Sequence, residues 1–446
     1  MSKQRRLVAI LFVVVAMIMA SGLAAAAGVT WTSLSQITNP PAGITWASTK
    51  FAVPNYDGCP GPTSDYRPPI GNNPDGCYGN QPTTHRIYSW SETGSQMYYF
   101  NNADLRWYAL NPGNIEGAPT AREGACLAWS GQQSSDNGHN LGEQTLVLFG
   151  GYISGVGYSK EVNIYNIVNN TWEKKLTSLS PSPSARGYMH CARFSSSGGG
   201  SWEYNGIVMS GGFNAGTLSD VWVFCDHADT NPYEHDLLGC GASVRKWVQF
   251  SWDTSCSDQS ILTLKRAYGS VTELNTRVDP LHNHAWDDEF VIWGGVRDGV
   301  ALREGAYVTW NQNTGGGVTF HCQRFSDFDG GGGIPLPRYF SGTGYRPHDL
   351  LPGLLGMVVF GGVASSGNAQ NDVRVMNWER STSRIYYYAA TPTGGSPSLR
   401  YGSEFPCFYN EYPGQPGCDT PVNYMMFGGN RPDGVGLQDT WGAYVT

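Results

Sequence analysis

The chain has 446 residues, a formal net charge of −8, 58 glycines, 13% aromatic residues and only 14% charged residues. A hydrophobic share of 40% is too rich for a disordered chain, and charge well below the ~25% of an average globular protein suits a β protein with many tight turns. Nucleic acid and anionic membrane surfaces are not expected partners, because no run of Lys or Arg follows the N-terminal segment.

Lys3, Arg5 and Arg6 precede an apolar run from Leu7 to Ala20, and small residues follow up to Ala27. This order reads as a signal peptide over residues 1–27, with cleavage around Ala25 to Ala27. The alternative is an uncleaved anchor, since Leu7 to Ala27 could just span ~30 Å of hydrocarbon. Removing the three basic residues takes the net charge from −8 to −11. No membrane span is expected after cleavage, and the mature chain is expected to be secreted, extracellular or at the cell surface. All ten cysteines follow the signal, which in an exported chain favours disulfides. Cys59 with Cys77 and Cys407 with Cys418 each bracket a Pro/Gly-rich loop. Cys225, Cys240 and Cys256 lie close enough for a third local bridge, with Cys225–Cys240 the expected pair. Cys126, Cys191 and Cys322 remain unassigned.

Beyond the signal, Val29-Thr-Trp31-Thr-Ser-Leu34 reads as a lone strand. Residues 41–110 hold Gln96-Met-Tyr-Tyr-Phe100 and, seven residues after Phe100, Trp107. From residue 119 a fuller pattern sets in. Apolar runs close on the glycine pairs Gly150-Gly151, Gly211-Gly212, Gly294-Gly295, Gly361-Gly362 and Gly428-Gly429, with first glycines 61, 83, 67 and 67 residues apart. Such runs read as strands buried on both faces, and paired glycines let the chain turn with positive φ. Upstream of each pair stands an arginine, Arg122, Arg186, Arg266, Arg338 or Arg400, at distances of 28, 25, 28, 23 and 28 residues from the first glycine. Downstream comes a hairpin, as in Tyr165 and Trp172, whose seven-residue spacing turns both rings to the packed side. Each unit is therefore four strands.

The glycine pairs, the upstream arginines and the Tyr165/Trp172 pair resemble the Kelch repeat, a four-stranded blade of a β-propeller. The resemblance spans about residues 29–446. It implies an all-β, six-bladed Kelch-type propeller over residues 28–446, with seven blades as the alternative count. The blades fall at about 41–110, 119–177, 183–252, 263–325, 336–391 and 399–446. In the first, Ile44 stands where the arginine is expected. The last lacks a fourth strand, and residues 29–36 are expected to supply it, leaving no open edge. The arginines are expected to bridge neighbouring blades through backbone carbonyls.

Connections between second and third strands are short: 152–160, 213–219, 296–304, 363–371 and 430–438. Connections between first and second strands are long: 54–84, 130–143, 195–204, 273–288, 346–355 and 406–422. The insertion 226–245, between a third and a fourth strand, falls on the same side as the long ones. That elaborated side is one candidate contact face. The opposite face offers Arg297, Asp298, Arg303, Arg431 and Asp433, which could bind a polar ligand or a peptide.

No Ser-His-Asp set, phosphate-cradling loop or Cys-x-x-Cys is visible. Asp226, His227, Asp229, Glu234, His235 and Asp236 crowd one insertion, and His282 and His284 stand beside Asp287, Asp288 and Glu289. Oxygen-rich clusters suit calcium and paired histidines suit zinc, although both read first as solvated turns and no cofactor is expected. Copper radical oxidases also carry Kelch propellers, but their ligand motifs find no positions here. Asn169-Asn-Thr171 is a glycosylation sequon at a hairpin tip. These features point to a propeller that binds an extracellular protein or glycan or assembles with its own copies. A carbohydrate-active or copper-dependent oxidase-like enzyme is the rival reading, and a structural subunit of an extracellular coat or appendage is another.

Overall fold

Along Glu289–Trp293 the side chains alternate between two apolar clusters: Phe290 and Ile292 enter one, Val291 and Trp293 the other. A strand turns successive side chains to opposite faces, so one packed on both faces needs an unbroken apolar run. The same alternation holds at residues 146–149, 207–209, 357–360 and 424–427.

The computed structural model describes residues 28–34, 46–49, 53–55, 84–91, 95–101, 105–112, 117–132, 144–167, 169–176, 179–198, 202–226, 245–250, 265–274, 289–312, 318–324, 326–329, 334–346, 354–379, 384–406 and 424–445. The described residues form strands and turns with no helix. Unit one holds Trp46–Ser48 and Val53–Asn55, both paired with Thr84–Ser91, then Gln96–Asn101 and Arg106–Ala109. Unit two runs through Cys126–Gln132, Gln144–Phe149, Val162–Asn166 and Thr171–Leu176, and unit three through His190–Gly198, Trp202–Ser210, Val221–Cys225 and Lys246–Phe250. Unit four comprises Ser270–Leu274, Glu289–Trp293, Gly305–Gln312 and Val318–Arg324, and unit five Gly342–Arg346, Leu354–Phe360, Val373–Glu379 and Arg384–Thr393. Each is an antiparallel meander in chain order.

Unit six is built from both ends of the chain. Tyr424–Phe427 pairs with Thr440–Val445, and Gly28–Ser33 pairs antiparallel with Thr440–Val445, Trp31 opposite Ala443. On its inner side Glu404 and Pro406 bond to Phe427 and Met425. Two pairings were not anticipated. Gly28–Ser33 also runs parallel to the end of Arg384–Thr393, and Ser326–Asp329 lies parallel to that strand's first half. The outer strand of unit five is therefore covered along much of its length, which blunts an otherwise open edge.

Among the described residues six apolar clusters join the units, each shared by two neighbours, and one joins unit six back to unit one through Met425, Phe427, Ile87, Phe100 and Trp107. This is a propeller-like, all-β arrangement. The aromatic pairs seat as their spacing predicts, with Tyr165–Trp172 and Phe100–Trp107 centroids 5.2 and 5.4 Å apart. One expected loop is a strand pair instead: 195–204 continues the unit-three hairpin out to Gly198 opposite Trp202, because the antiparallel register is never broken. Cys126 and Cys191 form a disulfide between the first strands of units two and three, closing 65 residues of chain; a loop of that length stabilises by about 4 kcal/mol. Cys225 is also disulfide-bonded. Its expected partner Cys240, and Cys59, Cys77, Cys407 and Cys418, lie outside the described residues, as does Ile44.

The arginines depart from expectation. Each guanidinium is buried and works inside its own unit, donating to the carbonyl of its own first glycine: Gly150, Gly211, Gly294, Gly361 or Gly428 at 2.8–3.2 Å. Each also meets an acid just before the third strand: Glu161, Asp220, Glu304, Asp372 or Asp439. The link between units is the arginine's own carbonyl, which accepts from the second glycine of the preceding unit: Gly151 to Arg186, Gly212 to Arg266, Gly295 to Arg338 and Gly362 to Arg400. A β-carbon on Gly294 would stand 2.7 Å from the Arg338 carbonyl, and one on Gly295 2.7 Å from the Ala267 carbonyl. With φ of 65° and 94°, both positions require glycine.

Burial alone would raise Asp220, Asp372 and Asp439, but the hydrogen bonds and positive charge of the arginine, together with further donors beside it, outweigh burial and hold each carboxyl below its ordinary value of 3.8. A depressed carboxylate pKa contributes stability that is complete above the unfolded value and disappears as pH falls through the native one. The thermal midpoint should hold steady from neutral pH down to about pH 4 and fall below it. Arg400→Met, which strands Asp439, should cost about 3–5 kcal/mol in urea unfolding. A loss under 1 kcal/mol would show that the pair does not anchor its unit.

Candidate functional site

The residue two places after each arginine has a left-handed backbone: Gly124, Tyr188, Tyr268, Phe340 and Gly402, with φ of 64, 56, 57, 57 and 69°. Their peptide groups form a chain of hydrogen bonds from unit to unit, Tyr188 N–H to Gly124 O, Tyr268 to Tyr188, Phe340 to Tyr268 and Gly402 to Phe340, at 2.7–3.1 Å. They stand just before the first strands, on the same end of the molecule as the short connections. Glycine adopts this conformation freely, whereas a residue with a β-carbon is strained by roughly 1–2 kcal/mol. Units three, four and five nevertheless place aromatic residues there.

The rings gather into a half-buried collar. Tyr188 and Tyr268 lie 4.3 Å apart, Tyr268 and Phe340 4.8 Å, and Phe340 and Tyr401 6.1 Å. Phe213 touches Tyr268 at 6.2 Å and continues outward to Tyr158 and Tyr152. Gly124 is needed because the Tyr188 ring lies over it, 2.3 Å from where a β-carbon would be. The Tyr188 hydroxyl donates to Glu123 at 3.3 Å. Burial, with Tyr158 nearby, pushes Tyr268 up to about 12, so its hydroxyl stays protonated.

Around the collar stand exposed apolar side chains. Among the described residues the large ones are Tyr152, Val156, Val300, Leu336, Leu399 and Val435. All lie in second-to-third or unit-to-unit connections. Val156, Val300 and Val435 are 81, 64 and 53% exposed at the loop tips of units two, four and six.

The polar residues expected on this face are engaged locally. Arg297 pairs at 2.9 Å with Glu304, the acid that also meets Arg266, and so belongs partly to the scaffold. Asp298 accepts from Lys265 and from Thr217 of the neighbouring unit at 2.8 Å, and the Lys265 and Thr217 hydrogen bonds hold its pKa low. Arg431 and Asp433 form a half-exposed pair within one turn, at 2.9 Å, and Arg303 is exposed.

On the opposite face Asp226 is fully buried. It accepts from Ser130 at 2.7 Å and from Thr145, and Arg245 approaches it at 3.5 Å while also pairing with Glu173. It thus ties unit two to unit three. His227, Asp229, Glu234, His235, Asp236, His282 and His284 lie outside the described residues. Among the described residues no three His, Cys, Asp or Glu side chains gather as a metal site. Asn169 is exposed at its turn.

The collar was missed from the sequence, although Arg186-Gly-Tyr, Arg266-Ala-Tyr and Arg338-Tyr-Phe carry it. The signal was an aromatic residue where the other two units have glycine. The acids paired with the arginines were missed as well; Asp220-Val-Trp and Asp439-Thr-Trp mark them, each Trp indole N–H donating to the Asp.

Left-handed strain gives a direct check. Phe340→Gly should be more stable than Phe340→Ala by about 1 kcal/mol, the reverse of the usual order. Equal midpoints in chemical unfolding would show that the strain is absent.

No family model matches the sequence, and no curated protein matches it. Solved structures with a similar course include that titled "Structure of YjhT", at 13% identity and TM-score 0.48 over 91% of this chain and 95% of that one. The N-terminal domain of Nup159 aligns at 9% identity and TM-score 0.34, over 94% and 96% of the two chains. The WD40 repeats of RRP9 align at 10% and 0.35, over 82% and 78%.

Proposed function

We propose that the chain is a six-bladed Kelch-type propeller, exported by the signal over residues 1–27, that acts as an extracellular interaction module. Its contact surface is the face of short connections. The observation that carries this reading is the set of exposed valines at the tips of three short connections, Val156, Val300 and Val435, on the side that holds the half-buried aromatic collar. Exposed apolar groups concentrated in this way mark a contact site. The repeated arginine, glycine-pair and aromatic positions support the Kelch assignment, and the pairing of Gly28–Ser33 with the last strand supports six blades. Arg303, Arg431 and Asp433 would supply polar contacts at the rim, and a glycan on Asn169 would sit on the opposite face, clear of the partner.

The purified, labelled protein should bind saturably to the surface of the cells that produce it. Replacing Val156, Val300 and Val435 together by lysine should weaken that binding at least about tenfold, while Arg106→Asp, on the opposite face, should leave it unchanged. Wild-type binding by the triple variant, or loss with Arg106→Asp alone, would overturn the assignment of the face.

A further inference from the structure

We propose that the aromatic collar formed by Tyr188, Tyr268, Phe340 and Tyr401, with Glu123 at its edge, is a stacking platform for a neutral pyranose saccharide. The proposal rests on the reading of the short-connection face as the contact surface.

Three observations lead to it. Glycine serves at the collar position in units two and six, so the left-handed aromatics of units three, four and five are not required by the turn itself. They are also only half-buried, which sets them apart from the sealed rings of the inter-unit clusters. Strain held by bulky side chains at a partly open surface is a feature of ligand sites. Third, the geometry selects among ligands. Tyr268 lies 4.3 Å from Tyr188 and 4.8 Å from Phe340. No cation fits between rings already in contact, so the cluster is not a cage for quaternary ammonium. The half-burial of these rings leaves ring surface open to solvent, where a flat ligand can lie.

The polar groups narrow the choice further. Tyrosine rings present apolar faces with hydroxyl edges, and a pyranose presents an apolar C–H face with a hydroxyl rim. Glu123 is exposed and accepts from Tyr188, so it offers an acceptor to a sugar hydroxyl. The same carboxylate, on a chain of net charge −8, repels anions. Nucleotides and acidic sugars are therefore disfavoured, and a neutral saccharide is the ligand of choice. A proline-rich peptide also stacks on aromatic grooves and is the competitor that the test must separate.

The test uses the full secreted chain and neutral hexasaccharides of glucose, mannose and N-acetylglucosamine, titrated by calorimetry with saturation-transfer NMR to map the contacted protons. At least one should bind through its ring C–H protons. Tyr188→Gly and Tyr268→Gly should each weaken it about tenfold with the thermal midpoint preserved, since glycine already occupies this position in two units. Glu123→Gln should weaken it less. The proposal is overturned if none of the three saccharides binds, if binding survives both glycine variants, or if a hexaproline peptide binds the collar and the saccharides do not. Cell-surface binding sensitive to the valine variants without any saccharide binding would sink this proposal and leave the contact face standing. Saccharide binding lost in the glycine variants, alongside cell-surface binding indifferent to the valines, would do the opposite.

Discussion

Five of the units depend on a buried arginine, and in four of them, at Arg186, Arg266, Arg338 and Arg400, it acts in two directions. Its guanidinium holds the glycine-pair turn and the acid before the third strand, so it ties the first, second and third strands of one unit together. Its carbonyl accepts from the glycine pair of the preceding unit. Burying a guanidinium is tolerable only with complete hydrogen bonding, and the carbonyl and carboxylate acceptors supply it. Because the same residue sets the turn within a unit and the spacing between units, the described residues repeat from unit to unit with strands and turns alone. The collar follows from the same fact: a position two residues after a fixed arginine is itself fixed, in conformation and in height along the axis.

Much of the architecture could be read from residues alone. The apolar runs ending in Gly150-Gly151 and its counterparts declared doubly buried strands because no polar residue interrupts them. The orphan strand at Val29 and the incomplete unit at Asp439–Tyr444 announced each other. What stayed hidden depends on contacts between distant residues. Cys126 and Cys191 belong to different units, and nothing local to either says that their strands lie side by side. Arg186 and Asp220 are 34 residues apart, and the spacing varies between units with loop length, so the pairing is plain only once the strands are aligned. The short-connection face was legible only in part: its loops could be placed from strand order, whereas the valines exposed at their tips and the left-handed aromatics beside them emerge only from the folded chain.

Glycine and aromatic residues divide the collar positions in an informative way. Gly124 gives way to the ring of Tyr188, and Gly402 ends the series beside Tyr401. The three aromatics between them pack on one another across the unit boundaries. Strain that would be a defect in isolation is here shared among residues that stack, and the cross-unit peptide chain beneath them holds the rings at a common level.

The pairing of Gly28–Ser33 with Thr440–Val445 carries a consequence for how the protein is made. Ser33 pairs with Trp441 and Val29 with Val445, so the sheet of unit six cannot form until Thr440–Val445 has been made. Contacts so remote are slow to form, and until then Val29 and Trp31, both buried in the finished molecule, remain without their cluster. Units two to five can assemble earlier from neighbouring segments. The meeting of Gly28–Ser33 with Thr440–Val445 is then a late event in folding, and the sheet it completes is the one that joins unit five to unit one.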